Sequence, residues 1–448
     1  MTSTATAAPG LAFRARSPLA YMVLLSGLFG STTTMAWVGA PAAAAAIVLS
    51  WPDLRFVARV LLLIGSVGAT VTALVEPALL SEAAANLTSL AALVIAVMLF
   101  SGLLTGTRDL GLICRRLFAG PPTARYASIT FGTGFLAIPL NFGAVGVVGS
   151  LVHNELEHAG DGPSPRNAAR ATLRGFGSAS FCSPLSVAVA ITLTFLPGLA
   201  ALELLAVTFP LAVGYLLLGL AFREREAFAA STAPTGNAHV APMLRLASTI
   251  AAVSVAVLLL HNLADVGYAH AVALACSVTV IIGLAASGVQ EGRAPAVPSL
   301  AGVHNEVAIM GGSAFLGVLA SGVALSLLGP GFGLPSWAPP LVALGVPWVL
   351  FIGGILGLNP IVTGTLVGGV LGPIWPTAGV LGLGVSMLVG WGITVAGTPY
   401  SAAALILNRL TGYDNVTAAL RWNRSLSVTA LLAGGGLGAV LTYLLAGA

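Results

Sequence analysis

Residues 337–372 read WAPPLVALGVPWVLFIGGILGLNPIVTGTLVGGVLG, a run of 36 residues without one charged side chain. A transmembrane helix needs about 20 apolar residues, so this run is longer than a single span. Gly357-Leu-Asn-Pro360 interrupts helical hydrogen bonding near its middle. Non-helical backbone at membrane depth is tolerated only where it is buried or lines a cavity. The run therefore predicts a re-entrant hairpin with its tip at Asn359.

The whole chain has the same apolar character. Of its 448 residues, 57% are hydrophobic and 7% are charged, whereas a soluble domain carries about 25% charged residues. This composition excludes a soluble enzyme, and the net charge of +4, spread over many loops, excludes a nucleic-acid-binding face. The apolar runs are too continuous for barrel strands, which alternate over about ten residues. The sequence thus predicts an all-α polytopic membrane protein with a lipid bilayer around it.

About eleven transmembrane helices and two re-entrant hairpins are expected. The other hairpin is 127–152, where Pro139-Leu140-Asn141 interrupts the run. Residues 17–50 are interpreted as two short spans, although a single span with the N-terminus outside would misplace only Arg14 and Arg16. The remaining spans are predicted at 57–75, 86–106, 170–195, 200–222, 243–262, 267–286, 303–328, 376–405 and 425–446.

The arginines indicate the orientation. If both hairpins return to the side they came from, all 18 basic residues, which are all arginines, fall on one side of the membrane. Under the positive-inside rule that side is the cytoplasm. We therefore expect a multi-pass protein of a bacterial-type plasma (inner) membrane with a cytoplasmic N-terminus.

The sequence also aligns with itself at an offset near 215. Gly175-Phe-Gly-Ser-Ala-Ser-Phe-Cys-Ser183-Pro184 lies over Gly390-Trp-Gly-Ile-Thr-Val-Ala-Gly-Thr398-Pro399, and the Leu-Asn pairs at the two tips align at a similar offset. Each half holds an odd number of spans, which inverts the second half, and inverted repeats with broken helices are typical of secondary transporters. The predicted units are a cytoplasmic N-terminal tail at 1–19, repeat 1 at 20–222 with broken helix 170–195, a cytoplasmic linker at 223–242, and repeat 2 at 243–448 with broken helix 376–405.

The polar residues of the apolar core are uncharged and lie at these interruptions. A broken helix exposes N–H groups that attract anions and C=O groups that can bind cations. We expect a small anionic solute at the tips and breaks and a coupling cation beside them, with no metal cofactor and no catalytic residue, because the core lacks buried acids and bases. The predicted substrate-binding residues are Asn141, Ser183, Asn359 and Thr398. The predicted cation-binding residues are Gly143, Ser178, Ser180, Thr363, Thr394 and Gly397.

These motifs resemble the divalent anion:sodium symporter family of the ion transporter superfamily. That family has an Asn-tipped hairpin followed by an unwound helix similar to Gly-Gly-x-x-Thr-x-x-Gly-Thr-Pro-Pro-Asn, once per repeat. Here Gly390, Thr394 and Gly397-Thr398-Pro399 match the second unwound helix, and Ser401 stands where the family has Asn. The first keeps Gly175 and Ser183-Pro184. The tips lack the Ser and Thr neighbours that help to hold carboxylate in the family.

The resemblance implies an elevator-type architecture, in which hairpins and broken helices move against a scaffold. It further implies a homodimer through 57–106 and 267–328, and an interfacial arm at 107–126. The predicted function is a cation-coupled secondary transporter, with Na⁺ as the coupling ion, for a small organic anion such as a di- or tricarboxylate. Two alternatives stay open: the large membrane subunit of a binding-protein-dependent (TRAP-like) anion transporter, and a non-transporting structural membrane protein.

Overall fold

The computed structural model describes residues 11–29, 33–105, 107–226, 240–291, 297–329 and 332–446. The first ten residues of the predicted tail and most of the predicted linker at 223–242 lie outside these ranges. Within them the chain folds into α-helices joined by short loops, and no strand occurs. The helices are α1 Leu11–Phe29, α2 Thr33–Leu49, α3 Phe56–Val75, α4 Pro77–Thr105, α5 Arg108–Leu117, α6 Pro122–Leu140, α7 Phe142–Ala159, α8 Pro163–Cys182, α9 Val187–Phe195, α10 Ala201–Ala221, α11 Val240–Leu263, α12 Tyr268–Glu291, α13 His304–Leu328, α14 Ala338–Ile355, α15 Pro360–Leu371, α16 Val380–Gly397, α17 Ala402–Thr411 and α18 Arg424–Ala446.

Ten helical stretches of the described chain are long and apolar enough to cross a membrane. The protein is therefore a multi-pass, all-helical membrane protein, which confirms the predicted class. The ten differ from the eleven expected spans because they include the hairpin arm α14 and do not include α1 and α2. Residues 17–50 do contain two helices. Arg16 Nη2 donates to Leu49 O at 2.8 Å, so α1 and α2 run antiparallel.

Several helices begin earlier than the sequence predicted. α1 begins at Leu11 inside the predicted tail, α4 at Pro77 instead of 86, α6 at Pro122 instead of 127, and α8 at Pro163 instead of 170. Proline fits the first turn of a helix, since its missing N–H would have no partner there. The early turns of α4 and α8 also carry polar side chains, which a search for apolar runs passes over.

The helices form two groups. The flanking helices are α1–α4 and α11–α13; all but α11 pack around α4, and α11 packs against α12. The hairpin–break unit is α6–α10 and α14–α18, in which α8 and α16 are central. The groups meet where α4 contacts α6, α12 contacts α9, and α13 contacts α15. In the last contact a Cβ built on Gly369 would lie only 2.3 Å from the carbonyl oxygen of Gly317, so the two backbones touch.

Helix α5 connects the groups. Its Asp109 forms a two-bond ion pair with Arg245 of α11, at 2.9 Å for each oxygen. Its apolar residues Leu110, Ile113 and Leu117 are buried, whereas Arg115 is exposed. This amphipathic pattern suits a helix at the membrane surface.

Candidate functional site

The two broken helices are interrupted in the same way. α8 ends before Ser183-Pro184 and α9 begins after Ser186; α16 ends before Thr398-Pro399 and α17 begins after Ser401. Proline ends each helix because it has no N–H to continue the hydrogen-bond ladder. We call residues 183–186 break 1 and residues 398–401 break 2.

The backbone follows a matching course at both breaks. Ser183 (φ −88°, ψ 128°) and Thr398 (φ −115°, ψ 143°) are extended. Ser186 and Ser401 are also extended and cap the next half-helix, where the Ser186 hydroxyl accepts from the Ala188 N–H and the Ser401 hydroxyl from the Ala404 N–H. Serine is a preferred N-cap because its oxygen satisfies one free N–H. The alignment at offset 215 therefore corresponds to a structural similarity between the two breaks.

Glycines allow α8 and α16 to cross at close range. A Cβ on Gly177 would lie 2.6 Å from the Gly392 carbonyl oxygen and 2.6 Å from Ala396 Cβ, and a Cβ on Gly392 would lie 2.0 Å from Phe181 Cδ1. Positions later in α8 thus meet positions earlier in α16, so the helices run antiparallel. Each break lies six residues beyond its glycine, about 9 Å along a helix. The breaks consequently lie on opposite sides of the crossing.

The second hairpin brings its tip to break 2. The tip is Leu356–Asn359, between α14 and α15. A Cβ on Gly354 would lie 2.4 Å from Thr394 Cγ2 and 3.0 Å from Thr398 Oγ1, and a Cβ on Gly357 would lie 3.7 Å from the Tyr400 ring. Asn359, half-buried, caps α15 by accepting the Ile361 N–H at 2.9 Å. The predicted residues Asn359, Thr394 and Thr398 thus belong to one half-site.

The first hairpin brings its tip to the depth of break 1. α6 and α8 run parallel, because Tyr126 Oη lies 2.6 Å from Arg174 Nη1 and, further along both helices, a Cβ on Gly134 would lie 3.0 Å from Ser178 Oγ. Asn141 is seven residues beyond Gly134, and Ser183 is five residues beyond Ser178. The tip and break 1 therefore lie at similar depths.

Both ends of the first hairpin lie on one side of the molecule. Arg125 Nη1, near the start of α6, lies 3.5 Å from Glu155 Oε1, near the end of α7. The chain therefore turns back at Asn141 and returns to its starting side. This side also contains Arg166, Arg170 and Arg223, and we call it the arginine-rich end.

Asn141 has an unusual backbone conformation. Its φ is 48° and its ψ is −127°, a region that glycine occupies far more easily than a residue with a Cβ. Its neighbour Leu140 offers a carbonyl oxygen to the Ser101 hydroxyl of α4 at 3.0 Å. Strained residues persist where the surroundings fix them, and they are common at ligand sites. The chain thus reverses at a single half-buried residue, Asn141, between α6 and α7.

The predicted cation-binding residues are divided between the half-sites. Ser178 and Ser180 lie on α8 before break 1, whereas Thr363, Thr394 and Gly397 lie around break 2. Ser178, Thr394 and Thr398 donate their hydroxyl protons to carbonyls of their own helices at 2.6–2.7 Å. Each oxygen keeps lone pairs that can accept a hydrogen bond or bind a cation.

Two predicted residues contact neighbouring helices instead of facing their partner half-site. A Cβ on Gly143 would lie 3.8 Å from Ser101 Oγ of α4. A Cβ on Gly397 would lie 2.6 Å from Ser427 Oγ of α18 and 3.1 Å from the Phe351 ring. At Gly397 the absence of a side chain therefore permits close packing, and its carbonyl is the group that remains for ligand binding.

Arg174 is a buried cation that the sequence did not single out. Its side chain is fully buried and donates to Tyr126 Oη at 2.6 Å, Gly219 O at 2.9 Å and Asn423 Oδ1 at 2.7 Å. Asn423 in turn donates to the Ala396 carbonyl, beside break 2, at 3.4 Å. From the sequence, Arg174 was expected only to lie on the same side of the membrane as the other arginines, because it is near one end of an apolar run.

Hydrogen bonds and an ion pair at the arginine-rich end join segments that are far apart in the sequence. Asp161 accepts two bonds from Arg166 at 3.0 and 2.6 Å and one from Tyr413 Oη at 2.9 Å. The Arg166 guanidinium holds the pKa of the Asp161 carboxyl below its ordinary value. Burial, followed by the bond to Asp161, raises the pKa of Tyr413. This cluster fastens the loop after α17 to the start of α8.

The described residues contain no group of three His, Cys, Asp or Glu side chains suited to a metal ion. No protein-family model matches the sequence, and no curated protein matches it. Among solved structures, that of the YdaH transporter from Alcanivorax borkumensis is similar, with a TM-score of 0.46 and 17% sequence identity over 80% of this chain and 86% of that chain.

Proposed function

We propose that this protein is a secondary transporter that couples the movement of a small organic anion, such as a di- or tricarboxylate, to a cation gradient, with Na⁺ as the cation. The observation that carries the proposal is the pair of matching breaks in α8 and α16, each with an Asn hairpin tip at its depth. Helix ends inside a membrane protein provide N–H groups for an anion and C=O groups for a cation without a charged side chain.

Within each half-site, different chemical groups would bind the anion and the cation. Asn141 and Asn359 carry amide groups that can donate to a carboxylate, and the breaks add the N–H groups of α9 and α17. The carbonyls that end α8 and α16, together with the Ser178 and Thr394 hydroxyls, are oxygen ligands of the kind that alkali cations bind.

The proposal extends to the setting of the protein. Large apolar side chains of α3 are exposed, among them Val67 at 65% and Leu74 at 83%, which suits contact with lipid or with a second copy. We propose a homodimer formed by the flanking helices in a bacterial-type inner membrane, with the arginine-rich end in the cytoplasm. The hairpin–break unit would then carry the solute past the flanking helices.

The test is uptake of radiolabelled succinate or citrate into proteoliposomes that contain the purified protein. An inward Na⁺ gradient should drive accumulation, and an equal K⁺ gradient should not. Asn141→Ala and Asn359→Ala should each abolish accumulation, while Asn262→Ala, which changes an exposed asparagine of α11, should leave it unchanged. Accumulation that needs no cation gradient would contradict coupling. Full activity in both tip variants would contradict the proposed site.

A further inference from the structure

Two hydrogen bonds join the flanking helices to the first half-site. Tyr268, the first residue of α12, donates its hydroxyl proton to the Pro184 carbonyl of break 1 at 2.8 Å. Ser101 of α4 donates to the Leu140 carbonyl at the first tip at 3.0 Å. Both acceptors are carbonyls at interrupted helix ends, where the ordinary helical partner is missing.

The Tyr268 side chain is held in place from its own side. It is 4% exposed, and the His261 ring of α11 packs edge-on against it with ring centres 5.3 Å apart. His261 Nδ1 lies 2.8 Å from the Val266 carbonyl oxygen, which fixes the imidazole in turn. The Tyr268 side chain is thus restrained by the flanking helices, and its hydroxyl contacts the hairpin–break unit.

The equivalent carbonyl at break 2 has a different kind of partner. Pro399 aligns with Pro184, and its carbonyl accepts from Asn415 Nδ2 at 2.8 Å. Asn415 lies between α17 and α18, so it belongs to the same unit as break 2. A movement of that unit away from α12 keeps the Asn415 bond and separates Tyr268 from the Pro184 carbonyl.

We propose that Tyr268 and Ser101 form a latch that holds the first tip and break 1 against the flanking helices in the conformation described here. The latch rests on the proposed function, because it assumes that the hairpin–break unit moves past α4 and α12. Tyr268 and Ser101 are positioning residues: each binds backbone of the unit and leaves the substrate ligands of the site untouched. Release of both bonds accompanies the movement, so losing either bond favours the released conformation.

Hydrogen–deuterium exchange of the full-length protein in lipid nanodiscs tests the latch without substrate. One net hydrogen bond corresponds to about a two- to tenfold change in an equilibrium. Tyr268→Phe should therefore raise exchange at break 1 by about two- to tenfold. It should also raise exchange at the first tip, around residues 137–145, which Tyr268 does not bond. Ser101→Ala should raise exchange at both places as well.

Two control variants separate the latch from a local effect. Tyr21→Phe removes a similar bond, in which a tyrosine hydroxyl donates to the Pro298 carbonyl at 2.9 Å. Both of these residues lie outside the hairpin–break unit, so this variant should change hydrogen exchange neither at break 1 nor at the first tip. Asn415→Ala should raise exchange around break 2 alone.

The deciding observation is whether each variant changes hydrogen exchange at the place that the substituted residue does not bond. If Tyr268→Phe changes only break 1 and Ser101→Ala changes only the tip, each bond is a local cap and the latch is wrong. Unchanged exchange in both variants would overturn it too. Because no solute is present, this result is independent of whether succinate or citrate is transported.

Discussion

Arg174 Nε donates a hydrogen bond to Asn423 Oδ1 at 2.7 Å, although 249 residues separate them. Arg174 also reaches the Gly219, Phe222 and Trp422 carbonyls, at 2.9–3.4 Å. Its charge is thus stabilised by carbonyl dipoles near helix ends, where a cation is favourable. This one side chain joins α6, α8, α10 and the segment before α18.

Replacing Arg174 with Met should strongly destabilise the protein, because it leaves buried acceptors without donors. We expect a loss of about 3–5 kcal/mol in the free energy of unfolding and a lower midpoint in thermal unfolding followed by size-exclusion fluorescence. Arg174→Lys should also lose stability, since an ammonium lacks the planar fork. Arg225→Lys, at an exposed arginine, is the control and should behave as the wild type. A wild-type midpoint for Arg174→Met would contradict the role assigned to this arginine.

The backbone at Asn141 predicts an order of stability among variants. Its φ of 48° suits glycine, so Asn141→Gly should be at least as stable as the wild type, and Asn141→Ala should be less stable by about 1–2 kcal/mol. The reverse order is expected at Asn154, an exposed residue in the interior of helix α7, where glycine should be worse than alanine by about 1 kcal/mol. Chemical denaturation in detergent measures both pairs. The same order at both sites would show that the turn at Asn141 is not strained.

The glycine crossing of α8 and α16 should not accept a methyl group. A Cβ on Gly392 would lie 2.7 Å from the Gly177 carbonyl oxygen as well as against Phe181, so Gly392→Ala must push the helices apart. We expect a cost of about 1–3 kcal/mol and a loss of Na⁺-driven uptake. Gly146→Ala on α7, where no atom lies within 4 Å, should gain about 0.5–1 kcal/mol. Equal thermal midpoints for the two variants would contradict the tight crossing.

The Asp161 cluster should stabilise the protein at all but acidic pH. The bond from Arg166 lowers the pKa of Asp161 below 3.8, so its stabilising effect is present above that value and is lost as the pH falls through the folded-state pKa. The thermal midpoint of Asp161→Asn should lie below that of the wild type by a constant amount from pH 5 to 8, and the gap should close in more acidic buffer. Glu82→Gln, at an exposed residue, should show no gap. A gap that widens on acidification would refute the ion pair.

The sequence indicated the interruptions well and the long-range contacts poorly. Proline, asparagine and serine act on the backbone within a few residues, so the positions of Asn141, Asn359 and both Ser/Thr-Pro breaks followed from local rules. The prediction of a shared site stays untested, since the described contacts assemble two half-sites. Arg174 could not be foreseen as buried, because its partner Asn423 lies 249 residues away in the sequence. The early starts of α4 and α8 were missed because their first turns carry polar side chains, which interrupt the apolar run that a span prediction relies on.

The backbone contact between Gly369 and Gly317 bears on how easily α15 can slide along α13. Interdigitated side chains oppose sliding, because each must pass its neighbour before the helices can pack in a new register. Where two chains touch through main-chain atoms, a slide exchanges one set of weak Cα–H···O contacts for another of similar strength. Sliding of α15 along α13 therefore meets little resistance at this contact, and a single added methyl group at Gly369 would block it.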